Sequence, residues 1–95
     1  LFIVLLHYIK PTSEVDRLVD EHRQFLARYY ASGHFLMSGP QEPREGGVIL
    51  AQARDKAEIE AIMRQDPFHR ETIAEYKFVE FIPKFTAAGL AQYKA

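Results

Sequence analysis

The chain has no cysteine. Disulfide staples, thiolate metal sites and a cysteine nucleophile are excluded, and a reducing cytoplasm is the expected compartment. It also lacks an excess of charge of either sign: 12 lysines and arginines stand against 13 acids, for a formal net charge of −1. Such a balance offers no footprint for a nucleic-acid backbone or an anionic membrane surface, so neither is an expected partner. No apolar run approaches the roughly 20 residues that a membrane-spanning helix needs. The opening Leu1–Leu6 segment has the polarity of a signal-peptide core, but it lacks a basic flank and a small-residue cleavage site, and His7 interrupts it. A buried strand is the expectation there. His7, His34 and His69 are scattered without His-x-His or His-x-x-x-His spacing, so no metal site is expected. There is no nucleophile-elbow motif to support a serine triad, and no repeat, low-complexity tract or linker to mark a second domain.

What is present is 95 residues, read as a single domain with a core over residues 1–82 and a C-terminal tail over 83–95. A chain of this length buries only about 60–65% of the surface it exposes when unfolded. Association with a second copy would widen that narrow margin. Residues 1–9 are apolar on both alternating faces, which predicts a strand covered on both sides. Pro11-Thr12-Ser13 predicts a helix start, with Thr12 or Ser13 as the cap, and Gly33 predicts its end. Residues 34–40 and 48–53 read as a hairpin across a polar loop at 41–47. Asp55 and Glu58 open a second helix through Gln65, Asp66-Pro67 closes it, and residues 76–82 read as the last strand. The order strand, helix, strand, strand, helix, strand predicts an α+β, ferredoxin-like βαββαβ fold with a four-stranded antiparallel sheet. Both helices then lie on one face, and the apolar other face calls for a second subunit.

Two inward stripes each contain one titratable exception. Val15, Leu18, Val19, Phe25, Leu26 and Tyr29 line the first helix at three-and-four spacing, with His22 among them. Ile59, Ile62 and Met63 line the second, and Asp66 follows on the same face. Each exception also has a plain structural reading: His22 as a core histidine satisfied by one hydrogen bond, Asp66 as the N-cap of a short turn that opens with Pro67. If the two meet, Asp66 can orient and charge-stabilise the imidazole as a general acid/base unit. Ser38-Gly39-Pro40 closes the second strand, where Ser38 offers a hydrogen bond and Gly39 allows close approach. Arg17, Arg23, Arg28 and Arg64 read as solvated helix surface, with one of them available to anchor an anion at a pocket mouth.

His22 in a long first helix, Ser38-Gly39-Pro40, Gly46-Gly47 before a strand, Asp66-Pro67-Phe68, Ala74-Glu75-Tyr76 and Glu80-Phe81 together resemble the YciI-like (YCII-related) proteins, in order over residues 1–85. The resemblance implies a dimeric α/β barrel and an active site of a histidine and an aspartate, which map to His22 and Asp66. Ser38, Gly39, Pro40 and Phe68 are the expected substrate contacts. One branch of the family is similar to dehydrochlorinases of chlorinated hydroxyquinols, and related families include lactone isomerases and cofactor-free monooxygenases. Several members have a basic residue three positions before the histidine; here Val19 stands there.

The resulting expectation is a homodimeric, cofactor-independent enzyme that moves a proton on a small cyclic or aromatic molecule, in a dehydrochlorinase-, lyase- or isomerase-like reaction. His22 is the acid or base, Asp66 its orienting partner and Ser38 a substrate contact. The alternative is a non-catalytic small-molecule-binding or accessory dimeric domain that uses the same cleft. A third reading makes the His22 and Asp66 contact a buried polar tie between helix and sheet, replaceable by apolar residues at little cost.

Overall fold

The computed structural model describes residues 1–95. Strands β1 (Phe2–Tyr8), β2 (Phe35–Pro40), β3 (Gly46–Ala51) and β4 (Ala74–Glu80) form one antiparallel sheet in the order β2-β3-β1-β4. Helix α1 (Thr12–Ala31) connects β1 to β2; α2 (Lys56–Met63) and a single turn, α3 (Pro67–Arg70), connect β3 to β4. No helix is long and apolar enough to cross a membrane.

The period-two register of the strands sorts side chains between the faces. Phe2, Val4 and Leu6 of β1 stand beside Ala51, Ile49 and Gly47 of β3, and beside Glu80, Phe78 and Tyr76 of β4, on the helix-covered face. There they meet Val15, Leu18 and Phe25 of α1 and Ile59, Ile62 and Met63 of α2 in one buried core. Ile3, Leu5, Val48 and Leu50 point the other way, where no element of the chain covers them, and Met37, Val79 and Phe81 on the same side are 56%, 37% and 37% exposed.

Several boundaries differ from expectation. Neither Thr12 nor Ser13 caps α1: Pro11, extended at φ −58° and ψ 153°, takes the capping position with no side-chain bond, and its carbonyl accepts from Glu14 N–H at 2.9 Å. The ring fixes φ and leaves Thr12 as the first helical residue. Strand β3 begins at Gly46 rather than Val48, because it passes so close to β1 that a Cβ at Gly46 would lie 1.7 Å from the Leu6 carbonyl oxygen. Glycine propensity, which suggested loop, gives way to a contact that only glycine permits. Strand β4 starts at Ala74, since Ala74 still pairs with Tyr8. Helix α2 stops at Met63, before the predicted Gln65, and Asp66 is extended ahead of Pro67.

Two signals act as expected. Gly33 ends α1 at φ +86°, a conformation costly for any side chain. Asp55 accepts from Glu58 N–H at 2.9 Å while the Glu58 carboxylate accepts from Arg54 N–H at 2.8 Å, a reciprocal cap for α2. In the tail, a 3₁₀ turn over Ala88–Tyr93 folds back so that Ala95 N–H reaches the Pro83 carbonyl, leaving Phe85 93% exposed.

Candidate active site

The polar exceptions on the two helical stripes do meet. Asp66 follows α2 because the chain must become extended before Pro67, and Pro67 then starts α3 with its missing N–H at no cost. This places a fully buried carboxylate beneath α1, 2.8 Å from His22 Nδ1. The expectation of an N-cap holds as well: Phe68 N–H donates to Asp66 Oδ1 at 3.0 Å, so one oxygen serves both the cap and the histidine. The other oxygen, Oδ2, accepts from the Tyr76 hydroxyl at 2.7 Å. A carboxylate with three donors around it compensates for its burial.

An acceptor-only carboxylate on Nδ1 requires the proton to sit there, so the neutral ring exposes its lone pair at Nε2. No protein atom bonds Nε2, and no buried side-chain nitrogen or oxygen lacks a partner, so Nε2 is open to solvent. Phe68 fixes the ring plane by stacking at 4.2 Å between centroids and 10° between planes. Tyr8 meets Phe68 edge-on at 6.0 Å, bracing the stack from β1. The imidazole is thus held by Asp66 at one edge and by Phe68 on one face, while one nitrogen remains accessible.

His22 lines a cavity of about 210 Å³ between α1 and the β2-β3 hairpin, together with Ser38, Gly39, Pro40 and Phe68. Of the six residues expected at the site, these five line the cavity, whereas Asp66 lies buried behind His22 and does not reach it. The Ser38 hydroxyl is held by the Tyr30 hydroxyl at 2.5 Å. A Cβ at Gly39 would have no atom within 4 Å, so the fold itself makes no use of the missing side chain. Val19 lines the cavity too, one turn before His22, so the wall at that position is apolar. The cations on the cavity are Arg23, which lies 3.8 Å from Asp20, and Arg44, and no carboxylate lines the cavity itself. Arg44 is tethered to Asp16 at 2.7 Å, and its pKa is raised by that hydrogen bond. Arg17 is committed to Glu14 and Glu71, away from the cavity.

The sequence alone does not single out Arg44 or Tyr30, and it marks Tyr76 only as part of the resembling motif, with no role at the site. Arg44 sits in a turn-rich loop whose direction depends on tertiary structure. Tyr76 carried a usable signal, since a tyrosine at an inward strand position needs a partner for its hydroxyl. Nowhere do three or more histidine, aspartate or glutamate side chains converge at metal-ligand spacing.

No curated protein is significantly similar to the chain in sequence. The fold matches 5-chloro-2-hydroxyhydroquinone dehydrochlorinase from Burkholderia phenoliruptrix AC1100, solved in complex with 2,5-dihydroxybenzoquinone, with a TM-score of 0.68 at 14% identity, covering 85% of this chain and 93% of that one. At that identity the likeness establishes a common fold. The sequence itself matches the model of the YCII-related domain over residues 1–82, the whole of the sheet-and-helix core described above. The chain therefore belongs to the YCII-related domain family.

Proposed function

We propose that the chain is a proton-transfer enzyme that acts without a cofactor on a small, acidic, single-ring molecule. The observation that carries this reading is the 2.8 Å contact between His22 Nδ1 and Asp66, which leaves Nε2 unbonded on a residue that lines the cavity. Nε2 removes a proton from the bound ring or from an attached hydroxyl, and returns it once the imidazolium has formed; Asp66 keeps the tautomer and offsets the positive charge. Ser38 contacts the substrate through the hydroxyl that Tyr30 orients. A cavity of about 210 Å³ is smaller than the roughly 300–1,000 Å³ of sites for drug-sized ligands, which favours one ring. Apolar walls with Arg23 and Arg44 and no carboxylate favour an anionic one. The fold neighbour's bound dihydroxybenzoquinone has that character, and loss of chloride after proton removal is the reaction its name suggests for testing.

The test is chloride release and ring-proton exchange in deuterated water with a chlorinated hydroxyquinol, comparing the wild-type chain with His22→Gln. Turnover by the wild type and its loss in the variant, with 2,5-dihydroxybenzoquinone still bound, is the expected result. Equal turnover by both sinks the histidine's role. Tight binding without turnover by either favours the non-catalytic binding domain.

The working unit in this proposal is a homodimer formed across the open sheet face. Support comes from Ile3, Leu5, Val48 and Leu50 on a face the chain leaves uncovered, joined by Met37, Val79 and Phe81. Sedimentation of the wild type should give twice the chain mass, and Leu5→Glu should give a monomer; a monomeric wild type at micromolar concentration overturns it.

A further inference from the structure

We infer that Tyr76 is a positioning residue that sets how strongly Asp66 holds His22. The inference rests on the acid/base reading of that pair and adds a third member to it.

Tyr76 stands on the helix-covered face of β4, opposite Leu6, so its ring is carried by the sheet rather than by the helices. Its hydroxyl donates to Asp66 Oδ2 at 2.7 Å, while Oδ1 takes His22 Nδ1–H and Phe68 N–H. The carboxylate is thereby clamped between a rigid strand and a helix turn. A carboxylate with one bare oxygen would rotate about its Cβ–Cγ bond to find a donor, and the plane it presents to His22 would be lost. Because the two oxygens share one delocalised charge, a donor on Oδ2 also draws density away from Oδ1. The phenol can only play the donor: burial, followed by the Asp66 charge and the hydrogen bond to it, pushes its pKa well up, so it stays protonated. Asp66 therefore reaches His22 with part of its charge drawn toward Oδ2, leaving an ordered ring whose other nitrogen is free to take up a proton and release it again.

A purely structural role would predict that Tyr76 matters only because Oδ2 needs a partner. The experiment reads the low-field proton resonance of His22 Nδ1–H without any substrate, so its outcome is separate from whether a turnover is found. Tyr76→Phe concentrates charge on Oδ1 and should move that resonance downfield. Replacement of Tyr76 by 3,5-difluorotyrosine keeps the shape, strengthens the donor and should move it upfield. Opposite displacements are the expected result. Displacement in the same direction, or none in either variant, overturns the inference, whatever happens to the melting temperature. If Tyr76→Phe does not fold, the fluorinated variant decides alone, and an unmoved resonance rejects the role.

Discussion

Two histidines in this chain face carboxylates, and only one pair has the makings of a site. His22 and Asp66 are 2.8 Å apart, with side chains 14% and 0% exposed. His34 Nε2 and Glu58 are 3.7 Å apart, at 30% and 24% exposure, and the other ring nitrogen, Nδ1, is 2.7 Å from the Ser32 hydroxyl. That serine also lies 3.1 Å from the Tyr29 carbonyl, which competes with His34 for its single hydroxyl proton. The serine, histidine and glutamate in proximity here lie where α1 ends and α2 begins, largely in contact with solvent. What differs is not residue type but what surrounds it: a dry floor, an aromatic clamp and a full set of donors make an orienting contact out of the first pair, whereas water competes with the second.

The strongest way to break the comparison is Asp66→Ala. It leaves Phe68 N–H, the Tyr76 hydroxyl and His22 Nδ1 without their acceptor, and should cost about 3–5 kcal/mol, the range for removing one partner of a buried pair. A domain of this kind holds roughly 5–15 kcal/mol in all, so urea unfolding should show a large loss of midpoint. His22→Gln separates chemistry from stability. It should lower turnover about 10²- to 10⁴-fold, the usual worth of a positioned proton-transfer group, and move the urea midpoint far less than Asp66→Ala does.

Asp55→Ala sharpens the contrast from another side, because Asp55 caps α2 as Asp66 caps α3 but touches no histidine. It should cost about 1 kcal/mol by urea unfolding and leave turnover unchanged. Smallest of all, His34→Ala combined with Glu58→Gln should change stability by no more than about 0.5 kcal/mol, since glutamine keeps the acceptor for Arg54 N–H. A larger loss in that double variant would show that the exposed pair is built in the same way as the buried one.

Most of the scaffold was legible in the sequence because each element carries its own local signal. The two-sided apolar run of β1, the Asp55 and Glu58 cap and the glycine after α1 state their structure within a few residues. The site was legible for a different reason: His22 and Asp66 were polar intrusions on apolar stripes, and intrusions on stripes that pack on one sheet are brought together. What stayed hidden depends on contacts between distant segments. Gly46 belongs to a strand because of the Leu6 carbonyl forty residues earlier, which no local propensity contains. The orientation of Arg44, the support of Ser38 by Tyr30 and the donation from Tyr76 to Asp66 all join segments whose approach follows only from the assembled sheet.

The shared oxygen on Asp66 ties the readiness of the site to the opening of one short turn. Residues Pro67–Arg70 are held at their start by that oxygen, so a local fluctuation that frees the Phe68 amide also releases the histidine and removes the ring stacked on it. Hydrogen exchange at the Phe68 amide would then count the fraction of molecules momentarily disarmed, a fluctuation confined to one turn while the sheet stays intact.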